Sequence, residues 1–173
     1  MTSEDRRLPD MDAMRRTKER LDAAPTEAST SFTSVTEWRE GARSVTRVRD
    51  FHVATDEPSV LGGDDSDPDP MELLLAALGA CLTIGWVKQA KLRGVTVRNL
   101  RVTVRAPFDM RGYLEEGAAV RPGFGELAYD VEVDSDADAV TLAEIMAAAE
   151  RSSPLFDNIL NHTPLRGAIR PIS

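Results

Sequence analysis

Residues 69–94 read DPMELLLAALGACLTIGWVKQAKLRG, and they predict the longest helix of the chain. Asp69 is a favourable cap for the first turn, and Pro70 suits the first helical position because its missing N–H costs nothing there. Glu72 stands where it can complete a capping box, and Gly94 supplies the left-handed residue at which helices commonly end. A helix from Pro70 to the residue before Gly94 is about 36 Å long.

The predicted helix is apolar on every side. Between Met71 and Val87 only Glu72 and Thr83 are clearly polar. A helix of this kind must be covered all round, and a small monomeric domain rarely surrounds so long a helix. We therefore expect a second copy of the chain to cover it. The longest uncharged run, Leu73–Val87, has 15 residues. A membrane span needs about 20, so the run predicts a buried core helix.

Composition limits the class of protein and its partners. The 173 residues suit one domain, and the net charge of −8 argues against nucleic acid or an anionic membrane as a partner. No apolar segment of a secretory signal occurs near the N-terminus. With one cysteine, the chain cannot form an internal disulfide, so nothing indicates an oxidising compartment. We expect a cytoplasmic protein.

The N-terminal half predicts an arm followed by the strands of an α+β domain. Residues 1–30 are polar and charged and predict a peripheral arm, whereas residues 31–173 form the domain. Residues 31–58 are rich in Thr, Val, Phe and Trp and predict a hairpin followed by a third extended segment. Two more strands, near 100–106 and 127–134, carry opposite charges on their exposed faces. These two strands could therefore pair directly.

The C-terminal part predicts two helices and a last strand. An apolar stripe over residues 138–151 predicts the first of these helices. Ser153 and Pro154 indicate the cap and first position of a short helix that reaches about Leu160. Residues 165–172 predict a last strand.

No metal or cofactor site is predicted. The acidic loop at 65–69 is similar to the start of a calcium-binding loop, but Pro70 and Ala76 stand where that motif needs Gly and Glu. His52 and His162 have no Cys or His partners at the spacing of a zinc site. Phosphate-loop and dinucleotide motifs are also absent from the sequence.

Cys81, the only cysteine, lies near the middle of the predicted helix and allows two interpretations. Free cysteine is among the most buried residue types, so Cys81 can be a packing residue. A reactive thiol would instead need positive charge from elsewhere, because the middle of a helix offers no help from the dipole. Glu72 is no partner within the same helix. The two positions are nine apart, which places Glu72 on the opposite face, about 13.5 Å along the axis.

Several stretches closely resemble the OsmC/Ohr family, the osmotically induced protein C and organic hydroperoxide resistance proteins. The main ones are residues 56–63 (DEPSVLGG), residues 70–83 (PMELLLAALGACLT) and Ser153-Pro154. Residues 107–112 and 121–124 are similar to the middle loop of that family. The resemblance covers about residues 31–172. It implies an OsmC-like fold, an intertwined homodimer in which curved antiparallel sheets enclose two long central helices, with sites at the subunit interface.

The resemblance also implies a chemistry. In the catalytic branches, a cysteine at the position of Cys81 attacks organic or inorganic peroxides. An Arg from the N-terminal sheet and a Glu near the helix start polarise this cysteine. A second cysteine then forms a disulfide, which external thiols reduce.

This chain departs from that pattern in two places. Ser153 occupies the second-cysteine position, so the two-cysteine cycle is impossible. The Glu usually lies ten residues before the cysteine, where this chain has Met71, and Glu72 is displaced by one position. That displacement rotates the side chain by about 100°. The sequence is thus similar to the OsmC-like branch with Ser-Pro in place of Cys-Pro.

Two functional hypotheses follow from the resemblance. In the first, Cys81 is the nucleophile of a one-cysteine, thiol-dependent peroxidase, and Arg39 or Arg49 stabilises the thiolate. Arg47 is a third candidate. The organic hydroperoxide would enter along the loop Pro107–Gly123 and the dimer groove, and an external thiol would reduce the sulfur. In the second, the chain is a non-enzymatic homodimeric protein that binds a small ligand or serves as an accessory subunit, and Cys81 is purely structural.

Overall fold

The computed structural model describes residues 8–115, 117 and 119–171 of the chain. Most of the predicted N-terminal arm is described, and it contains helix α1 (Met11–Ala23) followed by a single 3-10 turn. The Asp10 carboxylate caps α1 by accepting a hydrogen bond of 2.9 Å from the backbone N–H of Ala13. Residues 1–7 lie outside the described residues. The division into an arm and a domain stays a prediction.

Three strands form an antiparallel sheet in the order β1-β2-β3. Their ranges are β1 (Val35–Glu40), β2 (Arg43–Val48) and β3 (Phe51–Thr55). The two connecting turns contain residues with left-handed backbone, Gly41 at φ 51° and Arg49 at φ 55°. The predicted hairpin and third extended segment are confirmed.

Helix α2 (Pro70–Leu92) begins at the predicted residue and ends one residue before the predicted Arg93. The Asp69 carboxylate accepts the backbone N–H of Met71 at 2.5 Å, and the Glu72 carboxylate accepts the backbone N–H of Asp69 at 3.0 Å. Both bonds satisfy donors that an open helix end would leave unpaired. At the other end, Gly94 has φ 67°, and the backbone N–H of the next residue returns to the Ala90 carbonyl at 3.0 Å.

Only one stripe of α2 is buried within a single chain. It consists of Leu78, Leu82, Trp86 and Ala90, spaced four residues apart. The opposite face carries small or apolar residues that are exposed, and Ile84 keeps 61% of its surface accessible. By length and composition alone α2 could span a membrane, a test that core helices of soluble proteins also pass.

Strands β4 (Val97–Arg105) and β5 (Ala128–Ser135) form a second, two-stranded sheet. Opposite charges line the two strands, as the sequence predicted. The ion pairs join Arg98 to Asp134, Arg101 to Glu132 and Arg105 to Asp130. In these pairs the residue number rises along β4 as the residue number of its partner falls along β5. The two strands therefore run antiparallel.

The C-terminal helices follow the predicted bounds closely. Helix α4 (Ala139–Arg151) is capped by Asp138, and helix α5 (Pro154–Leu160) is capped by Ser153. A short helix α3 (Arg111–Leu114) lies in the connection between β4 and β5. The buried core joins α2 to α4 through Trp86, Ala90, Ile145 and Ala149.

The predicted last strand at 165–172 is wrong over the residues described. Residues 161–171 contain no helix or strand, and Leu165 is 97% exposed. Alternation of apolar residues shows which face a strand would bury, but a strand also needs a neighbouring edge to pair its backbone groups. No such edge pairs with this segment within the described part of the chain.

The chain folds as two compact units. The first comprises Met1–Ala77 and Thr103–Asp130, and the second comprises Leu78–Val102 and Val131–Ser173. The first unit contains the three-stranded sheet, the start of α2 and the long connection that follows β4. The second contains Cys81, the rest of α2, and helices α4 and α5.

Candidate functional site

Cys81 and Ser153 meet in the second unit. The Cys81 Sγ atom lies 3.1 Å from the Ser153 Oγ atom, and 72 residues separate the two along the chain. Cys81 is half-buried, whereas Ser153 is only 6% exposed. A thiol in this position is partly accessible, and its polar neighbour is shielded from water.

The Ser153 hydroxyl has a second role as the cap of α5. Its Oγ atom accepts the backbone N–H of Phe156 at 3.2 Å. A hydroxyl carries one hydrogen and two acceptor lone pairs. Because the bond from Phe156 uses a lone pair, the hydrogen is available to donate to the Cys81 sulfur. The same geometry allows the Cys81 thiol to donate to the second lone pair of the hydroxyl, since either atom can be the donor.

The arginines predicted to assist Cys81 lie in the first unit. Arg39 is exposed and forms an ion pair with Glu37 at 2.8 Å. The guanidinium carbon of Arg49 lies 5.1 Å from the centre of the Phe51 ring. The contacts described for both residues fall within the N-terminal sheet. A role for either arginine at the sulfur stays a prediction.

Glu72 acts as the helix cap described above. The alternative role, as a partner of a cysteine, also stays a prediction. Sequence reasoning did not single out Arg43, which reaches from β2 to the loop before α2 and donates to the Asp67 carboxylate at 3.0 Å. No local pattern identified this arginine, because its partner lies 24 residues away.

Asp56 is a buried carboxylate that organises the loop before α2, and sequence reasoning noted it only as the first residue of the family-like stretch 56–63. It accepts four hydrogen bonds, from the backbone N–H groups of Glu57, Asp64 and Ser66 and from the Ser66 hydroxyl. Burial by itself would raise the pKa of Asp56, but these hydrogen bonds hold it below its ordinary value of 3.8. A Cβ atom on Gly63 would lie 1.9 Å from the Glu57 carbonyl oxygen, so this loop requires glycine there.

A cavity of about 490 Å³ opens in the first unit between the start of α2 and the connection after β4. Its apolar walls include Leu61, Met71, Leu75, Phe108 and Phe124. Three carboxylates also line it: Glu57, Asp69 and Glu72. Burial first, and then the charge of Asp69 and a hydrogen bond to it, raise the pKa of Glu57.

The connection between β4 and β5 forms one wall of this cavity and is folded upon itself. The rings of Phe108 and Phe124 meet edge to face, with centroids 6.0 Å apart. A Cβ atom on Gly112 would lie 2.5 Å from the Arg121 carbonyl oxygen, so only glycine permits this close approach. The Arg111 guanidinium, through its hydrogen bonds, lowers the pKa of Asp109 to about 2.

The sequence profile of the OsmC-like protein family matches residues 63–166, which is more than half of the chain. This chain belongs to the OsmC-like family. The matched region contains α2 with Cys81, both strands of the second sheet, and Ser153. No sequence among the curated proteins matches this OsmC-like chain.

Solved structures share the OsmC-like fold at low sequence identity. An OsmC-like protein from Mycoplasma pneumoniae is 16% identical with a TM-score of 0.65, over 76% of this chain and 89% of that one. An OsmC-like protein of unknown function from Vibrio cholerae is 10% identical with a TM-score of 0.62, over 75% and 93%. An organic hydroperoxide resistance protein from Legionella pneumophila is 18% identical with a TM-score of 0.55, over 76% and 90%. The predicted α+β fold and family are confirmed.

Proposed function

We propose that this OsmC-like protein is a one-cysteine peroxidase that reduces organic hydroperoxides at the expense of an external thiol. The observation that carries the proposal is the 3.1 Å contact between the Cys81 sulfur and the Ser153 hydroxyl. A structural neighbour from Legionella pneumophila named as an organic hydroperoxide resistance protein supports the same class of chemistry.

The cycle follows from the presence of a single cysteine. The Cys81 thiolate attacks the outer peroxide oxygen, so an S–O bond forms, the O–O bond breaks, and the alkoxide leaves as an alcohol after taking a proton. Cys81 is then a sulfenic acid. A first external thiol attacks this sulfur and releases water, which leaves a mixed disulfide. A second thiol releases Cys81 and carries away the oxidised disulfide, so the two thiols supply the two electrons.

A homodimer completes this proposal. Within one chain, Glu72 lies about 13.5 Å from Cys81 along α2, which is too far for contact. The exposed face of α2 opposite its buried stripe includes Ala77, Ala80 and Ile84 and is suited to packing against a second copy. We place Glu72, and Arg39 or Arg49, across that interface. We further propose a cytoplasmic protein without nucleic-acid or membrane partners, in keeping with its net charge of −8.

Peroxide consumption tests the cysteine directly. Wild type, Cys81→Ala and Thr83→Ala are compared with cumene hydroperoxide and either dithiothreitol or dihydrolipoamide. Thr83 lies on the same helix, and in the contacts described its hydroxyl donates only to the Gly79 carbonyl. Thr83→Ala therefore serves as the matched control. We expect turnover by wild type and Thr83→Ala and none by Cys81→Ala. Equal rates for all three proteins would eliminate the mechanism.

A non-enzymatic binding protein is the second candidate, and the cavity in the first unit favours it. In this case Cys81 is structural, and the protein holds a small ligand without turning it over. Slow alkylation of Cys81, together with no peroxide turnover, would support this candidate over the peroxidase.

A further inference from the structure

An oxidised Cys81 has no route to an internal disulfide. It is the only cysteine of the chain, and the side chain that lies 3.1 Å from its sulfur ends in the Ser153 hydroxyl. A sulfenic acid commonly disappears by condensing with a neighbouring thiol. Because serine carries oxygen at this position, the contact offers the oxidised sulfur no thiol.

Helix α2 closes a second internal route, the sulfenamide. That product would join the Cys81 sulfur to a backbone nitrogen, of which the nearest along the chain belongs to Leu82. Leu82 lies in the interior of α2 and is 1% exposed. In a helix interior the backbone N–H is bonded to the carbonyl four residues earlier. Formation of the sulfenamide would remove this N–H and open the middle of α2, so the helix disfavours it.

The Ser153 hydroxyl can bond to a sulfenic acid in either direction. Its Oγ atom accepts the backbone N–H of Phe156 at 3.2 Å, which leaves one hydrogen and one lone pair for Cys81. A sulfenic acid carries both an O–H donor and an acceptor oxygen, so the hydroxyl can accept from it or donate to it. Ser153 is 6% exposed, and water therefore competes little for this bond.

The same hydroxyl covers one side of the sulfur. Oxidation beyond the sulfenic acid requires the sulfur to meet a second peroxide molecule. The Ser153 Oγ atom occupies one of the directions from which that molecule could come. Its position is fixed, because Ser153 is also the cap of α5. The half-buried Cys81 is thus approached from fewer sides than a free thiol.

We propose that the oxidised protein rests as the Cys81 sulfenic acid, which Ser153 holds and protects from further oxidation until an external thiol arrives. This role of Ser153 rests on the proposed peroxidase function and deepens it. The first peroxide adds one oxygen to the sulfur and leaves as an alcohol or as water. The next reaction belongs to the external thiol, since both internal routes are closed.

Mass spectrometry of the intact chain tests how long the sulfenic acid lasts. Wild type, Ser153→Ala and Ser152→Ala are kept in excess hydrogen peroxide without a thiol, and the shares of chains with one, two or three added oxygen atoms are followed. We expect wild type and Ser152→Ala to keep one oxygen. Ser153→Ala should pass to two or three oxygens about fivefold faster, because it lacks the hydrogen bond. Ser152 is the matched control, since its hydroxyl donates to the Ala148 carbonyl.

Ser153→Gly separates the hydroxyl from the helix cap. Glycine is a better cap than alanine, so this variant removes the hydroxyl with little loss of helix stability. It should be over-oxidised as quickly as Ser153→Ala. A one-oxygen form that lasts equally long in wild type and Ser153→Gly would overturn the proposal. So would a wild type that takes up no oxygen, or one that becomes a covalent dimer through Cys81.

Peroxide turnover with dithiothreitol is measured separately on the same wild type. A protein that keeps one oxygen but shows no turnover would refute the peroxidase and leave the role of Ser153 standing. Turnover by a protein whose sulfenic acid is no longer lived than that of Ser153→Gly would refute the role of Ser153 alone.

Discussion

The Sγ atom of Cys81 lies 3.1 Å from the Oγ atom of Ser153, which brings the middle of α2 against the cap of α5. If a cysteine replaced Ser153, the two sulfur atoms would lie almost close enough to form a disulfide. A disulfide requires an S–S distance of about 2.05 Å, so a small side-chain movement would be sufficient. With serine at position 153, the described structure holds no second cysteine with which Cys81 could form this bond.

Replacing Ser153 by Cys should create an internal disulfide with Cys81. Because the contact already exists, mild oxidation should remove both free thiols without a change in fold. The measurement is a thiol titration with an aromatic disulfide reagent under denaturing conditions, before and after oxidation. Ser152→Cys is the control, since the Ser152 hydroxyl bonds the Ala148 carbonyl instead. Two free thiols remaining in oxidised Ser153→Cys would show that the contact is not formed in solution.

The hydroxyl of Ser153 should also control the reactivity of Cys81. Ser153→Asp keeps a good helix cap but replaces the donor near sulfur by a negative charge. We expect alkylation of Cys81 by iodoacetamide at neutral pH to slow by about tenfold. The same change at the exposed neighbour, Ser152→Asp, should have little effect. An unchanged alkylation rate in Ser153→Asp would show that the serine hydroxyl does not influence the reactivity of Cys81.

The stability of the core between α2 and α4 should depend strongly on Ile145, because this side chain is 0% exposed. Ile145→Ala leaves a cavity beside Trp86 and should lower the free energy of unfolding by about 2–5 kcal/mol. Urea denaturation followed by circular dichroism measures the loss. Val140→Ala, on the exposed side of the same helix, should change stability by less than about 0.5 kcal/mol. Similar losses for both variants would contradict the described packing.

Asp56 should make the fold sensitive to acid. Its pKa is lower in the folded chain than its ordinary value of 3.8, so the ionised carboxylate stabilises the fold above that value. This contribution is lost as the pH falls through the folded pKa. Asp56→Asn should melt several degrees lower at pH 7, and its melting temperature should then fall less than that of wild type below about pH 4.

Melting curves at several pH values measure this difference. Asp64→Asn is the control, because only the backbone of Asp64 takes part in the bond to Asp56. An identical acid dependence for wild type and Asp56→Asn would show that the four hydrogen bonds do not determine the effect.

The exposed face of α2 should be the contact between two copies of the chain. Ile84 lies on that face, so Ile84→Arg would place a charge in the proposed interface. We expect wild type to elute as a dimer and the variant as a monomer, measured by size-exclusion chromatography with light scattering. Met14→Arg, on α1, is the control and should remain dimeric. A monomeric wild type would eliminate the homodimer.

Local signals predicted the helices and hairpins well. The cap of α2 depends on Asp69, Met71 and Glu72, which lie within four positions of one another. Gly94 ends the same helix through its own backbone conformation. Interactions over so few residues depend little on the rest of the chain, so the sequence predicts them correctly. The strand predicted at 165–172 failed for the opposite reason, because a strand needs a partner that its own residues do not supply.

By itself, the sequence determined most helix and hairpin bounds, the single cysteine and the family, because these depend on adjacent residues and on recognisable motifs. The tertiary structure alone decided that the Cys81 sulfur meets the Ser153 hydroxyl, that Asp56 gathers four hydrogen bonds, and that three carboxylates line one apolar cavity. The first contact joins side chains 72 residues apart, and the bonds to Asp56 depend on how residues 57–66 fold back around its carboxylate. Their distances are fixed by how the elements pack, a property that spacing along the chain does not encode.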